Sequence, residues 1–170
     1  MNERQPPPLL VAATADVLRK HAPFDTMAEA DLAYLSGGLK LRYFPRDATI
    51  LSPDSGRVDA LFIIQRGAVQ ADEPAKVSLH TMAGTLTDGE CFPIGALIAA
   101  RATSLRYKAL KDTFCYVLDE ARFRELMSRS PQFHDFCTRR LAALLAASTR
   151  GTREAYSSRA ADELTMVSPL

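Results

Sequence analysis

A short stretch near the middle of the chain has the residue types needed to bind an anion. Pro93 precedes Gly95, the apolar run from Ala96 to Ala100 favours a small helix, and Arg101 follows it. A glycine allows a tight turn, and the first turn of a helix leaves backbone N–H groups without partners, which attract phosphate. The sequence therefore predicts an anion-binding turn at Gly95, with Arg101 as a candidate for phosphate contact.

Other kinds of chemistry have few residues to support them. The three histidines, at positions 21, 80 and 134, are scattered without a second ligand at metal-binding spacing, and no metal site is expected. The three cysteines, at positions 91, 115 and 137, lie far apart in apolar surroundings, which favours buried reduced thiols. No Ser/His/Asp or Cys/His arrangement and no phosphate-binding loop of the Walker type is visible. We therefore expect no enzyme activity in these 170 residues.

Length and composition indicate one globular domain with helical flanks. The chain has 170 residues, of which 47% are hydrophobic and 24% charged, and its formal net charge is +1. This balance gives no basic field for nucleic acid. No apolar run approaches the roughly 20 residues that span a membrane, and the proline-rich start differs from a signal peptide. We therefore expect a cytoplasmic protein that contacts neither nucleic acid nor membrane.

The order of the predicted elements indicates an α+β protein. Two amphipathic helices, from Leu10 to His21 and from near Met27 to Leu39, follow an extended arm at residues 1–8. Short segments separated by turns then predict an antiparallel β-roll of the jelly-roll type, because no crossover helices intervene. The predicted strands are Leu39–Phe44, Thr49–Leu51, Ala60–Gln65, Ala68–Ala71, Val77–Met82, Arg106–Lys111 and Thr113–Leu118.

The helical period returns after the last predicted strand. Asp119 is a candidate N-cap for one helix, and Ser130-Pro131 starts a longer one, since proline suits the first helical position. Its apolar stripe could pack on the roll or form a dimer seam, and we favour a homodimer. The seam residues would be Phe133, Cys137, Leu141, Leu144 and Ser148.

The C-terminal region gives less information. The spacing predicts a further helix from Glu154 to Leu164, and the end of the sequence suggests the front part of a longer polypeptide. Residues 9–150 would then form the main domain, and residues 151–170 a linker or helix toward further domains.

Residues 24–150 together resemble the cyclic nucleotide-binding domain family. The clearest match is Leu61 to Val69, with its turn glycine, and Tyr43 to Ile50 is similar to the family's first strand and turn. More narrowly, three segments look like the N-terminal sensor of bacterial proteins in which such a domain precedes paired CBS domains and a nucleotidyltransferase-like region. These segments are Gly89–Leu97, Asp112–Tyr116 and Ser130–Cys137.

The resemblance implies a ligand such as cyclic AMP or cyclic GMP, and no other cofactor. In the ligand-binding branch of the family, a glutamate accepts from the ribose hydroxyl, and an arginine with a serine or threonine holds the phosphate. Here Ala96 stands at the glutamate's position, and the arginine's place falls near Thr103 or Ser104. An alignment shifted by one gap would instead let Gly89-Glu90 supply the glycine and the carboxylate. The site residues implied are Gly95, Ala96, Leu97, Arg101, Thr103 and Ser104, and the pocket walls implied are Phe62, Gly67, Val69 and Tyr107.

Two functions follow from these observations. The first is a regulatory sensor that binds a small anionic ligand in the roll and relays its presence through the C-terminal helices to attached domains. The second is a roll that has lost its ligand and serves dimerisation and protein contacts. The glycines and Arg101 favour the sensor, whereas Ala96 and the presence of Thr103 in place of the family's arginine favour the interaction module.

Overall fold

The computed structural model describes residues 6–73 and 84–146. Two helices precede the sheets: α1 spans Pro8–Leu18 and α2 spans Glu29–Gly38. Helix α1 begins two residues before the expected start, so Pro8 belongs to the helix and not to the arm. A proline is tolerated there because the first N–H of a helix has no intrahelical partner.

Within the described residues, eight strands form two four-stranded antiparallel sheets. The strand order is β1-β8-β3-β6 in the first sheet and β2-β7-β4-β5 in the second. The predicted α+β fold with an antiparallel β-roll is confirmed. The strands are β1 (Lys40–Phe44), β2 (Thr49–Leu51), β3 (Ala60–Arg66), β4 (Ala68–Asp72), β5 (Gly84–Thr87), β6 (Cys91–Phe92), β7 (Arg106–Ala109) and β8 (Thr113–Asp119).

Two of these strands were not predicted from the sequence. Strand β5 buries only Leu86, and β6 is two residues long, so neither gives a readable alternation. Strand β6 forms because Cys91 and Phe92 pair with Ile63 and Phe62 of β3. The predicted strand from Val77 to Met82 lies outside the described residues.

Strand β3 connects two hydrophobic cores. Successive side chains of a strand point to opposite faces, so Leu61 and Ile63 join a core with the helices, whereas Phe62 and Ile64 join the core between the sheets. All four are buried. A strand buried on both faces reads as a continuous apolar run, which is why this segment was predicted so readily.

Three further helices complete the fold: α3 (Ile94–Ile98), α4 (Glu120–Arg129) and α5, which covers residues 131–146 of the described chain. The predicted N-cap of α4 is confirmed, since Asp119 Oδ1 accepts from the backbone N–H of Arg122 at 2.9 Å. Pro131 is the first residue of α5, as expected, and Ser130 Oγ accepts weakly from the Phe133 N–H at 3.4 Å. The helix predicted from Glu154 to Leu164 lies outside the described residues.

Replacing the α4 cap tests whether it stabilises the junction between sheet and helix. We predict that Asp119→Ala lowers the free energy of unfolding by about 1 kcal/mol, because the first turn of α4 loses its acceptor. Asp119→Asn is the matched control and should stay near the wild type, since asparagine also caps helices. Urea unfolding measures both variants, and an Asp119→Ala protein as stable as Asp119→Asn would show that the cap contributes nothing.

Candidate functional site

A cavity of about 320 Å³ lies between α3, the loop that follows it, the second sheet and α5. Most of the residues predicted for the ligand site line it, although they come from separate parts of the chain. Those residues are Gly95, Ala96, Arg101, Thr103, Ser104 and Tyr107. Helix α3, the loop that follows it and strand β7 therefore present the predicted residues to one cavity.

Four predicted residues do not line this cavity. Leu97 of α3 is fully buried in the core that the helices form with the first sheet, and it does not line the cavity. Phe62 and Val69 belong to the core between the sheets, behind the cavity wall. Gly67 lies in a different surface depression, beside Arg66 and Lys111.

Gly67 is required by the backbone at its position. Its φ of +142° is one that side chains rarely adopt, and a Cβ there would collide with the side chain of Thr113. Its N–H donates to Asp88 Oδ1 at 2.8 Å, which ties the β3–β4 turn to the β5–β6 turn. The glycine serves the turn and not a ligand in the cavity.

Arg101 is the exposed cation at the rim of the cavity. Its backbone is fixed, since its N–H donates to the carbonyl of Ala96 at 3.1 Å and its carbonyl accepts from Val58 N–H at 3.1 Å. Its guanidinium, by contrast, forms no ion pair with any residue in the described part of the chain. A positioned backbone, and a charge that has no ion-pair partner among residues 6–73 and 84–146, leave this side chain available to an anion.

Thr103 and Tyr107 form the polar part of the cavity wall. Thr103 Oγ1 accepts from Leu105 N–H at 3.0 Å and lies 3.1 Å from the Leu105 carbonyl, so the hydroxyl shapes the loop before β7. Burial raises the pKa of the Tyr107 phenol, while a hydrogen bond with Thr103 and the charge of Arg140 act in the opposite direction. The Tyr107 ring stacks on Phe92 with centroids 4.6 Å apart.

Helix α5 supplies a wall that the sequence interpretation did not assign to the site. Arg140, Leu141, Leu144 and Leu145 line the cavity together with Glu73, which follows β4. A Cβ added to Gly95 would lie 3.4 Å from Leu141 Cδ1, so α5 packs directly on α3. The apolar stripe alone gave no signal that the last described turns of this helix cover a cavity.

The predicted dimer stripe divides into two parts along α5. Phe133 and Cys137 are fully buried in the chain's own core, where the Phe133 ring meets Phe123 edge-on, so they cannot form a dimer seam. Leu141 is half-buried at the cavity, whereas Leu144 is 38% exposed and its neighbour Leu145 62%. The first residues of the stripe therefore pack in the core, whereas the last described ones lie at the surface. Ser148 lies outside the described residues.

An ion pair links α5 to the turn before β6. Arg140 Nη2 lies 3.3 Å from Glu90 Oε1, and the two side chains are 39% and 36% exposed. The other oxygen of Glu90 accepts from the backbone N–H of Thr87 at 2.8 Å. Glu90 is therefore held by its own turn independently of Arg140.

The cysteines are buried free thiols, as predicted. Burial raises the pKa of Cys115 and of Cys137 to about 12, and it raises that of Cys91 further. All three therefore remain protonated at neutral pH, which makes them poor nucleophiles. Within residues 6–73 and 84–146, no group of three or more acidic, histidine or cysteine residues could hold a metal ion, and no helix there is long and apolar enough to cross a membrane.

Several solved structures have a similar fold. PKAR CBD2 bound to Sp-2Cl-cAMPS has a TM-score of 0.72 and 18% identity, with 84% of this chain and 91% of that chain covered. The sensor domain of the transcriptional regulator DNR from Pseudomonas aeruginosa has a TM-score of 0.58 and 14% identity, covering 80% and 91%. The regulatory subunit of a cAMP-independent protein kinase A from Trypanosoma cruzi, bound to guanosine, has a TM-score of 0.67 and 14% identity, covering 77% of this chain and 46% of that chain.

No curated protein matches the sequence. The model of the cyclic nucleotide-binding domain, however, matches residues 41–130, which is more than half of the chain and includes both sheets, α3 and the cavity loop. The chain therefore belongs to the cyclic nucleotide-binding domain family.

Proposed function

We propose that this domain is a regulatory sensor that binds a cyclic nucleotide, or a related small anionic ligand, in the cavity beneath α5. The observation that carries the proposal is the guanidinium of Arg101, which has no ion pair within the described residues and lies at the rim of a cavity with largely apolar walls. A planar, permanently charged guanidinium suits phosphate, and apolar walls suit a base. The volume of about 320 Å³ lies at the lower end of the range for small-molecule sites.

The acceptor for the sugar differs from the one that the family resemblance implies. Ala96 offers no carboxylate, but Glu73 lines the same cavity from the end of β4. We infer that a hydroxyl or amino group of the ligand donates to Glu73. The neighbour from Trypanosoma cruzi holds guanosine, a nucleoside without phosphate, so guanosine belongs among the ligands to be tested.

The relay would pass through α5. Leu141 and Leu144 line the cavity, so a ligand there contacts the helix directly. A ligand shifts an equilibrium only if it has different affinities for the two states, and contact with α5 in one of two helix arrangements would supply that difference. Attached downstream domains, of the CBS type or otherwise, and a cytoplasmic setting are parts of this proposal.

The second candidate is a module that binds no ligand and acts through dimerisation or protein contacts. Two observations favour it: Ala96 replaces the sugar-binding carboxylate, and Leu144 and Leu145 remain substantially exposed near the end of the described α5. Exposed leucines on a helix commonly mark an interface when they form a patch.

Calorimetric titration with cyclic AMP, cyclic GMP and guanosine, with AMP as a control, tests the sensor function. We predict selective binding of a cyclic nucleotide, and a loss of about tenfold or more in affinity for Arg101→Gln, because a charge-assisted hydrogen bond to phosphate is removed. Arg66→Gln is the matched control, since this arginine lies at the end of β3 outside the cavity. Absence of heat and of thermal stabilisation with every ligand would contradict the sensor function.

Sedimentation over a range of concentrations tests the dimer. We predict that the wild type associates at micromolar concentrations and that the double variant Leu144→Lys/Leu145→Lys is monomeric, because two charges enter the exposed end of the stripe. Leu9→Lys/Leu10→Lys on α1 is the matched control, as these leucines are also exposed. A wild type that is monomeric throughout, or a double variant that still associates, would contradict the dimer.

A further inference from the structure

We propose that Arg140 of α5 is a second anion-binding residue, which leaves Glu90 and joins Arg101 in holding the ligand. This inference rests on the proposed sensor function and specifies how the ligand would reach α5. The anion would then be held from two elements, the loop after α3 and the C-terminal helix.

The placement of Arg140 is the first support. It lines the same cavity as Arg101, and it precedes Leu141, whose side chain packs on α3 at Gly95. Its charge also acts on the Tyr107 phenol in the cavity wall, where it opposes the increase in pKa caused by burial. Arg140 therefore interacts electrostatically with a group in the cavity wall.

The present partner of Arg140 holds it weakly. The ion pair with Glu90 consists of one N–O contact of 3.3 Å between side chains that are each more than one-third exposed. A guanidinium has five N–H donors in a planar fork, so a single long contact leaves most of its capacity unused. Exposed ion pairs of this kind contribute little to the free energy of unfolding. Replacing Glu90 by a ligand anion as the partner of Arg140 therefore costs little free energy.

Glu90 is arranged to remain satisfied when Arg140 leaves. Its Oε2 accepts from the Thr87 backbone N–H at 2.8 Å, and the side chain is 36% exposed, so water can solvate Oε1 once Arg140 leaves. The Glu90 carboxylate is therefore an anion beside Arg140 that does not depend on Arg140 for its position. A phosphate in the cavity would compete with it for the guanidinium.

The charges of the cavity lining agree with this assignment. The charged residues among the described lining are Arg101, Arg140 and Glu73, which leave one net positive charge. A cyclic phosphodiester carries one negative charge, so such a ligand would neutralise the lining. With Ala96 in place of a glutamate, the second arginine is not cancelled by a second carboxylate.

Calorimetric titration of the whole chain with cyclic AMP and cyclic GMP tests the proposal. We expect Arg140→Gln to weaken binding about tenfold, because hydrogen bonds to an anion are lost. Arg139→Gln is the matched control on the same helix turn, since Arg139 lies outside this cavity, and it should bind like the wild type. Glu90→Gln keeps an oxygen for Thr87 and removes the competing charge, so binding should tighten, by up to about fivefold.

Specific outcomes overturn the proposal. If the wild type binds while Arg140→Gln keeps wild-type affinity, or if Glu90→Gln weakens binding, Arg140 does not hold the anion and the sensor function still stands. If the wild type binds neither cyclic nucleotide, this inference fails, and the sensor function fails with it when guanosine gives no binding either. Arg140→Lys is a second variant in case Arg140→Gln misfolds. It keeps the positive charge but lacks the planar set of N–H donors, so it should bind with an affinity between those of the wild type and Arg140→Gln.

Discussion

The burial of the first turns of α5 is the constraint on which the site depends. Phe133 and Cys137 are fully buried among the helices, and the Phe133 ring meets Phe123 of α4 edge-on, with centroids 5.8 Å apart. Because a helix is rigid over such a length, anchoring its start determines where the following turns lie. Those turns bring Leu141 against α3 and Leu144 to the cavity. The same packing that stabilises the domain therefore forms one wall of its candidate site.

Local signals in the sequence were sufficient for much of the fold. Asp119 and Pro131 indicated helix starts because capping and fixed φ act within one turn. The apolar run of β3 indicated a strand because both of its faces are buried. Strand β6 escaped prediction because its two residues are stabilised only by pairing with β3, a contact that is distant in sequence.

The candidate site was predicted less completely, for the same reason. Gly95 and Arg101 were predicted because a turn and a cation lie close together in the sequence, and Tyr107 because the family resemblance implies it; all three line the cavity. Arg140 and Glu73 were missed because they reach the cavity from distant elements. A stripe along a helix says which face is apolar, but not which of its turns meet the core, a cavity or a partner.

Hydrogen exchange of the whole chain, with and without saturating cyclic AMP or cyclic GMP, tests the central claim most directly. The account predicts slower exchange in two separate regions, residues 94–105 and residues 131–146, because a ligand in the cavity would contact both. Unchanged exchange in both regions with each nucleotide, or protection confined to the depression around Arg66 and Lys111, would contradict it.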